Sequence, residues 1–172
     1  MSMIVDLTGV LKEAGNKISV DGDIELDDVK YLGEDFHFVK PAVFKGSISN
    51  SGKSLVLTGT VTLCLKVRCA RCAKEIEKEL SYELNEALIR AEDNTDPDGD
   101  AVIFSGNEID LSQIAETGFF MNVPGKFLCS NDCNGLCPRC GADLNLGDCG
   151  CDKYDIDPRW EALKKIMDSD KD

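Results

Sequence analysis

The chain has 172 residues, 42% of them apolar, and a formal net charge of −13 at pH 7. This length makes one domain, or one domain with a metal-stapled extension, and the apolar fraction can fill a core. The acidity argues against nonspecific coating of nucleic acid, which needs a basic face, and no run of about 18 apolar residues is present to form a membrane-spanning helix.

Met1-Ser2-Met3-Ile4-Val5-Asp6 has no charged segment leading into an apolar stretch, so no signal peptide and a cytoplasmic location are expected. Ile18, Val20, Ile24 and Leu26 keep a period of two, interrupted by Asp21-Gly22-Asp23, and Ala42, Phe44 and Ile48 continue it. Asn50-Ser51-Gly52-Lys53 signals a turn. The clearest strand follows, with Leu55, Leu57, Gly59, Val61, Leu63, Leu65, Val67 and Cys69 on odd positions. Thr58, Thr60, Thr62, Lys66 and Arg68 take the other face. The alternation predicts one buried face, one wet face and antiparallel pairing. Gly59 is expected to mark a bulge or bend in so long a run. After Cys69-Ala70-Arg71-Cys72 the alternation resumes on Ile76, Leu80, Tyr82, Leu84 and Leu88, with Glu75, Glu77, Glu79 and Glu83 facing away. This predicts a long hairpin with a cysteine knuckle at its tip. His37, the only histidine, reads as an outer-face residue within Phe36-His37-Phe38.

Residues 92–100 form an acidic linker. Asp96, Asp98 and Asp100 have the spacing of a calcium loop but lack its glycine and closing glutamate, so a solvated loop is expected. Residues 101–104 suggest a short strand. Asp110 is an N-cap with Gln113 placed for a capping box, and Leu111, Ile114, Ala115, Gly118 and Phe119 form one helical face. Pro124 ends that helix. A last helix begins at Asp157-Pro158, with Trp160, Leu163, Ile166 and Met167 on its apolar face. The divisions are thus a β-rich region 1–91, a linker 92–100 and a segment 101–172 with helix, cysteines and C-terminal helix, forming one composite domain.

Eight of the nine cysteines fall into four close pairs: Cys69/Cys72, Cys129/Cys133, Cys137/Cys140 and Cys149/Cys151. Four pairs supply two four-thiolate sites. A tetrahedral zinc needs its sulfurs about 2.3 Å from one atom, and a Cys-x-x-Cys turn delivers two of them. In a reducing compartment such clusters read as metal ligands rather than disulfides. Cys137-Pro138-Arg139-Cys140-Gly141 is a zinc-ribbon type of knuckle, whose glycine permits the positive φ that turns N–H groups toward sulfur. Its nearest partners are Cys149 and Cys151. Cys129 and Cys133 then complete a site with Cys69 and Cys72, tying the hairpin tip to the C-terminal segment. The alternative groups Cys129, Cys133, Cys137 and Cys140 in one local site. Unmetallated structural thiols would need an apolar setting, which the surrounding Gly, Asp and Asn do not offer.

Cys133, Cys137 and Cys140 also have radical-SAM spacing, but that chemistry needs a β/α barrel, and only 32 residues remain after Cys140. No catalytic triad, phosphate loop or dinucleotide fingerprint is present, and no base stands ready to activate a thiol, so no enzymatic activity is expected. Cys64 reads as a free thiol on a polar face. Residues 64–74 hold Lys66, Arg68, Arg71 and Lys74 and no acid, whereas residues 75–110 hold twelve acids against Lys78 and Arg90. A basic tip thus sits on an acidic body. It serves either to offset the negative charge of a four-thiolate zinc or to touch RNA phosphate.

Three stretches, in this order, resemble the YceD family, the large ribosomal RNA subunit accumulation proteins of bacteria and plastids. They are Arg68-Cys69-Ala70-Arg71-Cys72 after a strand, the run Leu128-Cys129-Ser130-Asn131-Asp132-Cys133-Asn134-Gly135-Leu136-Cys137-Pro138-Arg139-Cys140-Gly141-Ala142-Asp143-Leu144-Asn145, and Asp157-Pro158-Arg159-Trp160 leading into Leu163-Lys164-Lys165. The resemblance implies a role in accumulation or processing of large-subunit rRNA, without a known catalytic activity.

The expectation is an α+β fold dominated by an antiparallel, strongly bent sheet, with few helices and a zinc-stapled C-terminal segment holding one of two zinc ions. The expected function is a ribosome-biogenesis factor that meets large-subunit rRNA or a ribosomal precursor through Lys66, Arg68, Arg71 and Lys74. The alternatives are an acidic adaptor that holds a basic ribosomal protein or recruits a nuclease, and an iron–sulfur or redox protein.

Overall fold

The computed structural model describes residues 3–93, 99 and 101–151. The calcium-like spacing and the last helix, from Asp157 onward, lie outside them. The organising element is the hairpin of β6 (Leu55–Arg68) and β7 (Glu75–Arg90), strands of 14 and 16 residues. Their antiparallel ladder runs unbroken from Leu55↔Leu88 to Arg68↔Glu75. As the alternation predicts, Leu57, Val61, Leu63 and Leu65 are buried, while Glu75, Glu77, Glu79 and Glu83 are exposed.

β5 (Ala42–Asn50) pairs with β6, and β2 (Lys17–Ile24) pairs with β5, both antiparallel. The turn between β5 and β6 closes where Asn50 Oδ1 accepts from the Gly52 N–H at 2.8 Å, with Gly52 at φ +89°. β3 (Val29–Tyr31) and β4 (Glu34–Phe38) form a small ribbon that joins β6 near its knuckle end, through His37↔Lys66 and Phe38↔Leu65. β1 (Ile4–Asp6) makes a separate two-stranded sheet with β9 (Glu108–Asp110).

The buried face is closed by α1 (Thr8–Leu11) and α2 (Leu111–Asn122). Asp110 caps α2 by accepting from the Ser112 N–H at 2.9 Å, and its buried residues are the predicted five. It ends at Val123, which is extended at φ −63°, ψ 125°, as the residue before Pro124 should be. Gly118 sets the packing distance: a Cβ there would lie 2.7 Å from Leu84 Cδ2 and 2.8 Å from Tyr82 Cε2. The Tyr82 hydroxyl donates to the Ala115 carbonyl, and the Phe119 ring meets Phe36 and Phe38 edge-on, each at 5.4 Å.

Antiparallel pairing dominates the sheet, as expected, and among the described residues β8 (Val102–Phe104) is its one parallel member, beside β7. Two expectations need correction. Gly59 makes no bulge. It sits in an unbroken ladder opposite Gly46 and Leu84, and the two glycines leave room for the Phe44 ring. Asp21-Gly22-Asp23 does not interrupt the first strand but lies within β2, and Gly22 makes room for Met3, whose Cε would be 2.8 Å from a Cβ there.

Candidate metal centres and the basic tip

Both knuckles have the same backbone. At the hairpin tip the Cys69 N–H donates to Lys74 O and the Ala73 N–H to Cys69 O, each at 2.9 Å. In the second knuckle the Cys137 N–H donates to Ala142 O at 2.8 Å and the Gly141 N–H to Cys137 O at 2.9 Å. The residue after the second cysteine is left-handed in both, Gly141 at φ +74° and Ala73 at φ +57°. This conformation aims N–H groups at sulfur. Ala73 carries the strain of it, since a Cβ disfavours the left-handed region.

The fold brings Cys69, Cys72, Cys129 and Cys133 together, and separately Cys137, Cys140, Cys149 and Cys151, with sulfurs within 4.8 Å of one another in each set. The alternative set of Cys129, Cys133, Cys137 and Cys140 is not the one formed. In the first cluster Cys69 and Cys133 Sγ stand 3.8 Å apart, and Cys72 and Cys129 Sγ 3.7 Å apart. A tetrahedron with 2.3 Å metal–sulfur bonds has edges of about 3.8 Å, whereas a disulfide needs about 2.05 Å. These spacings fit one ion rather than a multi-iron cluster, whose ligands must stand apart around several atoms.

The acid–base chemistry fits the same group. The Cys72 and Arg71 N–H groups hold the Cys69 thiol down to about 6. The Cys140 and Arg139 N–H groups do the same for Cys137, also to about 6. Cys72 is pushed up to about 12: the Lys74 N–H favours its thiolate, but burial and the neighbouring Cys69, Cys133 and Cys129 thiols outweigh it. Cys151 is pushed up to about 12 by Cys140, Cys149 and burial. Each cluster therefore offers one ready thiolate among crowded thiols, and a divalent cation would allow all four to ionise together.

The two centres differ in setting. The first is buried between Ile76 and Leu128. In the second, Cys137 is buried, Cys149 and Cys151 are half-buried and Cys140 is exposed. The first is also clamped across the chain. The Ala70 N–H donates to Phe127 O at 2.8 Å, the Leu136 N–H to Arg71 O at 3.1 Å, and Arg71 Nη1 to Cys133 O at 2.8 Å.

Sequence reasoning missed Asn145. Its Nδ2 donates to Cys133 Sγ at 3.5 Å, and its Oδ1 accepts from the Asn134 N–H at 2.8 Å. It thus ties the loop of the second cluster to a cysteine of the first. An asparagine two residues after Asp143 is the only visible signal, and that is the pattern of an ordinary Asx turn.

The four basic residues divide. Arg71 is spent on the clamp. Lys66 Nζ pairs with Glu75 Oε2 at 3.0 Å, holding that carboxyl below its usual range with help from Arg68. Arg68 and Lys74 are exposed. Cys64 stands opposite Glu79, outside both clusters, and His37 is exposed, with Nδ1 2.8 Å from Asp28 Oδ2.

Residues 57–167, which include both clusters, match the family described as large ribosomal RNA subunit accumulation protein YceD. The chain belongs to the YceD family. Among its relatives is an uncharacterized protein of Mycobacterium bovis, 28% identical over 128 residues, covering 73% of this chain and 61% of that protein. An uncharacterized protein of Mycobacterium leprae is 26% identical over 127 residues, 72% of this chain and 58% of the relative. The match thus spans about six-tenths of the length of these mycobacterial relatives. The uncharacterized protein YlbN of Bacillus subtilis is 22% identical over 151 residues, 87% of this YceD chain and 88% of its own length. No solved structure matches the chain.

Proposed function

We propose that this YceD protein is a non-enzymatic, cytoplasmic factor in large-subunit rRNA accumulation, whose two zinc ions fix a basic knuckle for contact with rRNA in a ribosomal precursor. The observation that carries this is the first sulfur cluster, which joins the hairpin tip to cysteines about sixty residues downstream. Zinc would supply the charge that lets four thiolates share one site. The chain's own residues do the rest. Arg71 holds the Asn131 and Cys133 carbonyls in place, and Arg68 and Lys74 remain at the surface as phosphate contacts. Fixing the knuckle in advance lowers the ordering cost of binding.

The test is crosslinking in growing cells, followed by sequencing of the attached RNA. The reading expects large-subunit precursor RNA, lost when Arg68 and Lys74 are changed to Glu. A second reading, an adaptor for a basic ribosomal protein, is favoured by the row of exposed glutamates on β7. It expects protein adducts that survive those changes. A coloured preparation would favour iron over zinc.

A further inference from the structure

β7 is bonded to β6 along one edge over nearly its whole length. On the other edge, among the described residues, it pairs only with β8, at Leu88, Ile89 and Arg90. Residues 75–87 therefore present strand backbone without a ladder partner there. Where this open edge meets β8, a groove of about 590 Å³ lies between β7, β8 and α2. Its lining includes Leu84, Phe104, Ile109 and Ile114, together with Ile103 and Met121, which are 48% and 82% exposed. The charged residues of the lining are Glu83, Glu86, Glu108 and Asp110, with no base among them.

An extended chain laid on this edge would send alternate side chains to opposite faces of the sheet. On the inner face they would meet Leu84 and the apolar groove under α2. On the outer face they would stand beside Glu79 and Glu83. We infer that the open edge of β7 and its groove dock an extended segment of a partner protein in which apolar residues alternate with Lys or Arg. Backbone bonds supply affinity in such strand addition, and the alternating side chains supply selection. The glutamates would also disfavour edge-to-edge pairing of two copies of this chain, since like charges directly opposite are destabilising, whereas a basic strand would meet no such repulsion. The groove lies roughly 30 Å along β7 from the knuckle at ~3.3 Å per residue, so this docking is independent of RNA contact at the tip.

The test titrates the full chain into a labelled synthetic peptide alternating Lys with Val and reads fluorescence anisotropy. The inference expects saturable binding, about tenfold tighter or more than for the same residues scrambled, or for Glu in place of Lys. Hydrogen exchange should show alternate amides of residues 79–86 gaining protection. Changing Glu79 and Glu83 together to Lys should weaken the Lys peptide roughly tenfold and admit the Glu peptide, whereas Lys74→Glu at the knuckle leaves binding unchanged. Equal binding of ordered and scrambled peptides, or protection away from β7, would overturn the inference. So would a nuclear Overhauser contact between Trp160 and Met121 in the free chain, because the chain's own last segment would then fill the groove.

Discussion

Phe44 lies over two glycines of neighbouring strands, and the hairpin core depends on that vacancy. A Cβ at Gly59 would sit 2.6 Å from the Phe44 ring and 2.7 Å from Lys45 O, and a Cβ at Gly46 would strike Thr58 O. Gly59→Ala and Gly46→Ala are each expected to lower stability by about 1–3 kcal/mol through overpacking, read from urea denaturation midpoints. Phe44→Leu should recover part of the Gly59→Ala loss, because a side chain is its nearest obstacle. It should recover little of the Gly46→Ala loss, where the obstacle is backbone. Full rescue at both sites would show that the ring alone sets the spacing. Ala73 is the converse case, a residue with a Cβ where the knuckle needs φ +57°. Ala73→Gly should stabilise the metal-loaded chain by about 1 kcal/mol, offset in part by the greater freedom of glycine when unfolded. A lowered melting temperature would contradict this.

At the scale of elements, sulfur and sheet are separable. The β5–β6–β7 core is built on Leu57, Val61, Leu63 and Leu65, none of which touches a cluster. Chelation is therefore expected to release residues 129–151 from the hairpin tip while the far-ultraviolet β-signal persists, and complete loss of that signal would refute it. The parent is expected to bind two zinc ions and the Cys149→Ser protein one, as measured by metal analysis, because the first cluster shares no cysteine with the second. The Cys72→Ser protein should also free the tip, making residues near Arg71 accessible to protease. Zinc uptake at neutral pH should release protons into a weakly buffered solution. Cys72 and Cys151, pushed up to about 12 without metal, hold their protons until the ion arrives. Affinity should accordingly fall as pH falls.

Much of this architecture was legible in the chain. Long alternation marked the hairpin, a cap and an apolar stripe marked α2, and cysteine spacing marked the two clusters. The rest was hidden for physical reasons. β1, β9 and α1 are three or four residues long, too short to show a period, and β1 is fixed by Ile4↔Asp110 pairing far along the chain. The parallel direction of β8 cannot be read from three residues. Ala73 carries no glycine signal, and Asn145 shows its role only once Cys133 is folded against it.

For the whole molecule, the decisive quantity is where charge lies relative to the knuckle. A net charge of −13 repels polyphosphate from much of the surface, which is why the basic tip is the proposed RNA contact. Two of the four tip cations are already engaged, Lys66 by Glu75 and Arg71 by backbone carbonyls. Arg68→Glu and Lys74→Glu are therefore the informative reversals. Each should lower the slope of log affinity against log salt by roughly one unit, one phosphate contact apiece, with zinc content intact. Arg71→Glu should differ in kind: it places a carboxylate against the carbonyls of Asn131 and Cys133 and should weaken the first metal centre as well. If Arg68→Glu and Lys74→Glu leave the salt slope of precursor binding unchanged, the tip is not the RNA contact. If neutralising Glu75, Glu77, Glu79 and Glu83 then abolishes association, the acidic face of β7 is what the ribosomal precursor recognises.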